Sequence, residues 1–218
     1  MLVAIDTATD YASLALHDGM QLRAEYTWES RRRHSVELIP ALATALERVH
    51  ISPDRLKAVA VTRGPGSYTG LRVGMAVAKG LALARGLPMV GVPTLDVVAA
   101  GQGGAGEPLC AILQAGRGRI SVAIYHWCGR EWHTEETPRL TTWPELVAST
   151  ESPTIFCGEI DPPAEEALSR LGALAIVASP AARLRRAGFL AEIAWRRLRR
   201  NETDDPSRLT PIYLSYGE

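Results

Sequence analysis

The hydrophobic positions change period along the chain, and each change predicts an element. LVAID (2–6) is a short apolar run ending on a carboxylate, which reads as a buried strand. YASLALH (11–17) alternates, Asp18-Gly19 supplies a turn, and QLRAEYTW (21–28) runs back as the second arm of a hairpin. From His34 to Val49 the period lengthens: Leu38, Leu42, Leu46 and Val49 recur at helical spacing. Pro40 inside that pattern predicts either a late helix start or a kink. LKAVAVT (56–62) is another buried strand, RGPGSYTG (63–70) a loop, Leu71–Arg85 a helix and MVGV (89–92) a strand. Thr94 is placed to cap a helix running through Ala100.

GQGGAGEP (101–108) has linker composition, and after it the order roughly repeats. PLCAILQ (108–114), ISVAIYHW (120–127) and EWHTEET (131–137) predict strands, and Pro144 opens a short helix. TIFCG (154–158) and LAIVA (174–178) predict strands around a helix at PAEEALSRL (163–171). Ala181–Arg200 predicts one long basic helix with Gly188 as its weak point. The expected architecture is α/β, with two ribonuclease-H-like lobes of the actin and sugar-kinase (ASKHA) type. The N-terminal lobe covers 1–101, and a C-terminal lobe at 107–218 carries the basic helix and the tail.

Composition narrows the function classes. Lys+Arg and Asp+Glu balance at 24 each, so no overall field draws the chain to nucleic acid or membrane. Cys110, Cys128 and Cys157 are odd in number and far apart, which argues against a disulfide framework or zinc knuckle and fits a reducing cytoplasm. The opening MLVAIDTATD meets Asp6 too early for a signal peptide, and the stretch Leu71–Val92 is interrupted by Arg72, Lys79 and Arg85. The expectation is a soluble cytoplasmic protein.

The glycine loop is not a phosphate motif. A Walker A loop needs a lysine after its last glycine, and Gly70 is followed by Leu71. A dinucleotide G-x-G-x-x-G fails by one residue, because Gly64 and Gly66 are followed by Ser67, Tyr68 and Thr69 before Gly70. The loop therefore reads as a tight strand-to-helix turn. Asp6, Thr7 and Thr9 stand where actin-like ATPases place phosphate contacts, yet IDTATD has no glycine. His34, His126 and His133 form no H-x-x-x-H pair, and Ser67 lacks a G-x-S-x-G elbow. More telling are two helices short of a polar face. Gly70, Gly74, Ala78 and Ala82 make a small-residue stripe, with Leu71, Met75, Val77 and Leu81 beside it; Ala41, Ala43 and Ala45 lie among the leucines of the first helix. Such helices predict either burial between the chain's own sheet and the other lobe or a partner surface, and two of them side by side favour the partner surface. The arginines at 183, 185, 186, 196, 197, 199 and 200 read as a solvated face rather than an RNA contact, offset by Glu202, Asp204 and Asp205.

IDTAT at the start, His34-Ser35 with Leu38 and Pro40, RGPGSYTGLRVG (63–74), Gly80-Leu81-Ala82-Leu83 and the closing Pro211-Ile212-Tyr213-Leu214 resemble the TsaB (YeaZ) family. The resemblance implies a non-catalytic relative of TsaD with a degenerate nucleotide cleft. Such a subunit is a scaffold required for tRNA threonylcarbamoyladenosine modification. It binds and activates TsaD through its first two helices, TsaE joins the pair, and tRNA is met only through the complex. Alone, the chain is expected to pair with itself. No cofactor is implied, and a nucleotide at a subunit interface is left open. The partner face would comprise Leu38, Ala41, Leu42 and Ala45 with Gly70, Arg72, Gly74, Met75, Ala78 and Ala82. The loop Arg63, Gly64, Pro65, Gly66, Ser67, Tyr68 and Thr69 would set the direction of the second helix. TsaD holds a metal with an H-x-x-x-H pair; Thr94 and Val98 stand there in this chain. The family's D-A-R strand end is replaced by Gln114-Ala115-Gly116, with Ser121 in place of a tyrosine. The alternative is an ASKHA-type ATPase or small-molecule kinase, with Asp6 as its metal carboxylate.

Overall fold

The computed structural model describes residues 1–31 and 33–214, so the last four residues of the expected second lobe lie outside it. The chain order is β1 (Leu2–Asp6), β2 (Tyr11–His17), β3 (Leu22–Glu29), α1 (His34–Arg48), β4 (Ala58–Thr62), α2 (Tyr68–Arg85), β5 (Met89–Val92) and α3 (Thr94–Ala100). It continues with β6 (Leu109–Gly116), β7 (Arg119–Trp127), β8 (Trp132–His133), β9 (Arg139–Thr142), α4 (Trp143–Ala148) and β10 (Thr154–Gly158). The last elements are α5 (Pro162–Ser169), β11 (Ala175–Val177), α6 (Pro180–Arg183) and α7 (Ala187–Arg199). Contacts divide the chain into two units. The first joins Met1–Val97 to Arg186–Tyr213, and the second is built on Val98–Arg185.

The first unit is a five-stranded sheet in the order β3-β2-β1-β4-β5, with β1, β2 and β3 antiparallel and β4 and β5 parallel to β1. Its central strands are buried on both faces, which explains their nearly continuous apolar sequence. The alternation sorts residues by size. Val3, Ile5, Leu14, Leu16, Val59 and Val61 pack with Leu38, Leu42 and Leu46 of α1 and with Met75, Ala78 and Ala82 of α2. On the other face Ala4, Ala15, Ala58 and Ala60 meet Ala187, Leu190, Ala191 and Ala194 of α7. The alanines of the central strands let the alanines of α7 approach the sheet closely, while Leu2, Val90, Val92 and Leu190 fill the rest of that face.

That packing corrects the expected lobe boundary. The basic helix, placed by sequence in the second lobe, belongs with the first sheet. The sheet also finishes its N-terminus. Among the described residues Arg186 at the N-cap makes no side-chain cap bond, and instead Ala187 N donates to Ser13 Oγ (2.8 Å) and Gly188 N to Glu25 Oε1 (2.6 Å). Beyond α7 the chain covers the open edge of β5. Asp204 N donates to Met89 O, Gly91 N to Asp204 Oδ2, and Arg197 Nη1 to Gly91 O, each at 2.8 Å.

The second unit repeats the order as β8-β7-β6-β10-β11, with β9 also pairing with β7. β6 and β7 are antiparallel, and β10 and β11 run parallel to β6. Its core joins Cys110, Ile112, Ile120, Val122 and Phe156 to Leu146 of α4 and Leu168 of α5. Two ribonuclease-H-like units, as expected, make up the chain.

Several local expectations change. α1 starts at His34, well ahead of Pro40, so the late start does not occur. α2 starts at Tyr68 rather than Leu71, because Ser67 Oγ accepts Gly70 N and closes the first turn. Thr94 opens α3, but its buried hydroxyl has no hydrogen-bond partner among the described residues. The expected strand 131–137 shrinks to Trp132–His133. The expected helix 181–200 divides into α6 and α7, with extended backbone at Leu184 and Arg186.

Candidate functional site

Two features of the first unit can carry function: the strand ends around Asp6 with the glycine loop, and the outer face of the α1–α2 pair. At the first, β1 delivers Asp6 fully buried. Its Oδ1 accepts Ala8 N (2.9 Å) and Thr62 Oγ1 (3.1 Å). The carboxylate thus fixes the turn after β1 to the end of β4.

The glycine loop backs onto that same turn. Ser67 N donates to Ala8 O (2.6 Å), and Thr7 Oγ1 donates to Gly70 O (2.8 Å). A methyl group on Gly66 would run into Ala8 O, and one on Gly70 into Thr7 O. These glycines are required by close backbone approach inside the chain. Leu71 N and Gly70 N are also satisfied within the loop, by Ser67 O and Ser67 Oγ. Arg63 and Gly64 are held from other directions, by Ile212 N donating to Arg63 O and Thr94 N to Gly64 O. Arg63 and Gly66 are half-buried, Gly64 and Pro65 buried, and Ser67, Tyr68 and Thr69 exposed. The loop is a joint between β1, β4, the tail and α2, and it sets where α2 begins.

His34 serves the same junction. It is buried, and its Nε2–H donates to Thr9 O (2.9 Å), tying the first turn of α1 to the segment after β1. His126 and His133 pair across β7 and β8 in the second unit. Among the described residues no three His, Cys, Asp or Glu side chains cluster as metal ligands. Nor is any helix of them long and apolar enough to cross a membrane.

The partner-face residues named from sequence need correction. Leu38, Leu42 and Ala45 are buried, as are Gly70, Gly74, Met75, Ala78 and Ala82; Ala41 is half-buried. The stripe lies on the chain's own sheet, where a methyl group on Gly74 would strike Thr7 Oγ1 and approach Ile5. Only Arg72 of the proposed set is fully outward. A second set, not named from sequence, is exposed instead: Val36 (61%), Ile39 (52%) and Leu83 (61%), with Tyr68 (59%) at the start of α2. Pro40, Ala43, Ala76 and Gly80 are exposed beside them, and Val73, Val77 and Leu81 are half-buried. α1 and α2 pack against each other, so these apolar positions belong to one two-helix layer. The available signal was size: the small stripe fits under a helix, which leaves the bulky apolar residues outside it to face solvent.

The arginines of the basic segment have several roles. Arg183 bridges Glu165 (2.7 Å), Arg186 bridges Glu25, and Arg197 bridges Asp204 (3.3 Å), while Arg185 is buried. Arg196, Arg199 and Arg200 are exposed. A solvated face therefore accounts for part of the run, and structural ion pairs for the rest.

A family model described as "TsaD: tRNA N6-adenosine threonylcarbamoyltransferase" matches residues 23–156. The chain is 38% identical over 150 residues to the tRNA threonylcarbamoyladenosine biosynthesis protein TsaB of Escherichia coli (strain K12), spanning 67% of this chain and 64% of that one. It is 29% identical over 160 residues to the TsaB of Bacillus subtilis (strain 168), spanning 72% and 70%. Among solved structures, YeaZ from Pseudomonas aeruginosa superposes with a TM-score of 0.80 over 98% of this chain and 99% of that chain, at 24% identity. That likeness extends the shared fold to the whole chain. The chain belongs to the TsaB (YeaZ) family, within the wider group that the TsaD model describes.

Proposed function

We propose that this protein is a non-catalytic scaffold in tRNA threonylcarbamoyladenosine biosynthesis, and that the outer face of α1 and α2 docks a TsaD-type protein. One observation carries the reading: two packed helices expose Val36, Ile39 and Leu83, large apolar side chains that a surface helix would replace with charges. The match of the TsaD model to much of the chain supports the choice of occupant. Homologous lobes that present equivalent helix pairs can meet face to face about a pseudo-twofold axis. The engaged carboxylate of Asp6 and the bonded amides of Gly70 and Leu71 support a structural rather than catalytic use of the strand ends.

In this reading the chain uses no cofactor of its own and activates TsaD by holding it. TsaE joins the pair, and tRNA is met only in the assembly, in the cytoplasm. A nucleotide would enter only at a subunit interface, and without TsaD the same face would pair with a second copy. The test replaces the face as it stands in the structure. Ile39→Asp and Leu83→Asp should each leave the melting temperature of the isolated chain, measured dilute enough to keep it monomeric, close to wild type. Each should weaken co-purification with the TsaD-type protein by at least about thirtyfold, as loss of a buried anchor does. Unchanged association of both variants would overturn the assignment of this face.

A further inference from the structure

The docking face has a charge as well as an apolar strip. α2 contains no Asp or Glu from Tyr68 to Arg85, and Arg72 and Lys79, seven residues apart, share the side that carries Ala76 and Leu83. Neither cation meets an acidic side chain among the described residues. Arg72 is held in place by an aromatic neighbour. Its guanidinium lies 4.9 Å from the centroid of the Tyr68 ring and donates to Tyr68 Oη (2.5 Å), while the Tyr68 ring also meets that of Tyr213, tilted by 34° with centroids 5.0 Å apart. Arg85, at the far end, donates to Asp54 O. The acids of the adjoining α1, Glu37 and Glu47, make no ion pair with either cation among the described residues. Glu37 accepts Trp28 Nε1–H (2.9 Å) and pairs with Arg33 (3.4 Å), and exposed Glu47 is followed by Arg48. The two-helix layer is therefore apolar with a net positive edge.

Resting on the reading above, we propose that this edge selects the partner. It favours a non-identical helix face that carries carboxylates opposite Arg72 and Lys79, and it disfavours a second copy of this chain. In an antiparallel twofold pair of α2 helices Arg72 of one copy comes opposite Lys79 of the other and neither copy brings an acid, whereas an acidic partner neutralises both cations. The apolar strip supplies affinity to either partner, and the charge distinguishes them.

The experiment follows both associations for the full-length chain. Pairing with the TsaD-type protein is measured by titration calorimetry and self-association by sedimentation, each from about 0.05 to about 0.5 M salt, where the screening length falls several-fold. Salt should weaken the mixed pair several-fold and strengthen the self-pair. Arg72→Glu should weaken the mixed pair about tenfold and tighten the self-pair; Lys79→Glu should act in the same directions, with circular dichroism confirming the fold of each. Opposite signs are the mark of charge selection, because damage to packing would weaken both. Both associations moving together, with salt or with Arg72→Glu, would overturn the proposal. Failure of the mixed pair at every salt concentration would instead overturn the docking assignment, and the self-association series would still decide the charge argument.

Discussion

The same substitution at two points of α2 should have opposite effects on stability. At Gly80 a new methyl group meets no described residue within 4 Å, so Gly80→Ala gains helix propensity of about 1 kcal/mol. At Gly70 the methyl group is aimed at Thr7 O, a backbone atom of the turn after β1 that side-chain motion cannot clear. Either the turn or the first turn of α2 must move, at about 1–3 kcal/mol for overpacking. Movement also strains the bond from Thr7 Oγ1 to Gly70 O, worth about 1 kcal/mol. Against the propensity gain, Gly70→Ala should be destabilised by about 2 kcal/mol. For a chain of this length 1 kcal/mol shifts the melting temperature by about 2–4 °C. Thermal melts of the isolated protein, run dilute enough to keep it monomeric, should show Gly70→Ala about 4–8 °C below wild type and Gly80→Ala about 2–4 °C above it. Equal melting temperatures for wild type and Gly70→Ala would mean that the glycine loop is not seated on Thr7 as described.

Three further outcomes test other parts of the structure. Glu25→Gln removes the carboxylate that caps Gly188 N and pairs with Arg186, and should cost about 1–2 kcal/mol while speeding amide exchange in the first turn of α7; unchanged exchange there would refute the borrowed cap. Alkylation of the native protein at neutral pH should modify Cys128 alone. Burial pushes the Cys110 thiol up to about 12 and raises that of Cys157 as well, so mass spectra showing more than one adduct before unfolding would contradict their placement. The Asp18 carboxylate, which accepts the amides of Met20 and Gln21 and pairs with Arg23, is lowered from 3.8 to about 2. Because the folded value is depressed, its support of the hairpin turn is present above 3.8 and fades as the pH falls towards about 2. Amide shifts of Met20 and Gln21 should titrate near that lower value, and a midpoint close to 3.8 would exclude the bonded turn.

Period and punctuation made most of the first sheet legible. β1, β2, β4 and β5 fall where apolar runs meet turn residues, and the loop's departure from both phosphate motifs is matched by its use as a close-packed joint. The misses share a physical cause: each depended on what lay across from the residue. β9 (Arg139–Thr142) has only Leu140 as a large apolar residue, and its strand character comes from pairing with β7. α7 carries no signal of the sheet it covers, since Ala187, Ala191 and Ala194 would suit any close neighbour. The helical period also runs across Leu184–Arg186, whereas Ser179 caps a separate turn and Ser13 and Glu25 begin α7 afresh.

The small residues of α2 show most clearly how such a pattern divides. A small residue in a helix marks a close neighbour without saying which one. Gly70 and Gly74 answer to Thr7, and Ala78 and Ala82 are buried on the chain's own sheet, so this set is explained without a partner. Gly80 is different. It is exposed, no described residue comes within 4 Å of where its methyl group would stand, and in a free-standing helix it costs about 1 kcal/mol relative to alanine. On the docking reading, the missing methyl group lets a partner backbone come close beside Leu83. Gly80→Ala should then stabilise the lone chain and yet weaken its pairing with the TsaD-type protein, a trade that ordinary surface positions do not show. The melt and the binding isotherm of that one variant decide the point. If the melting temperature rises and the affinity is unchanged, no partner backbone closes over Gly80, and the contact must centre on Val36 and Ile39 of α1 instead.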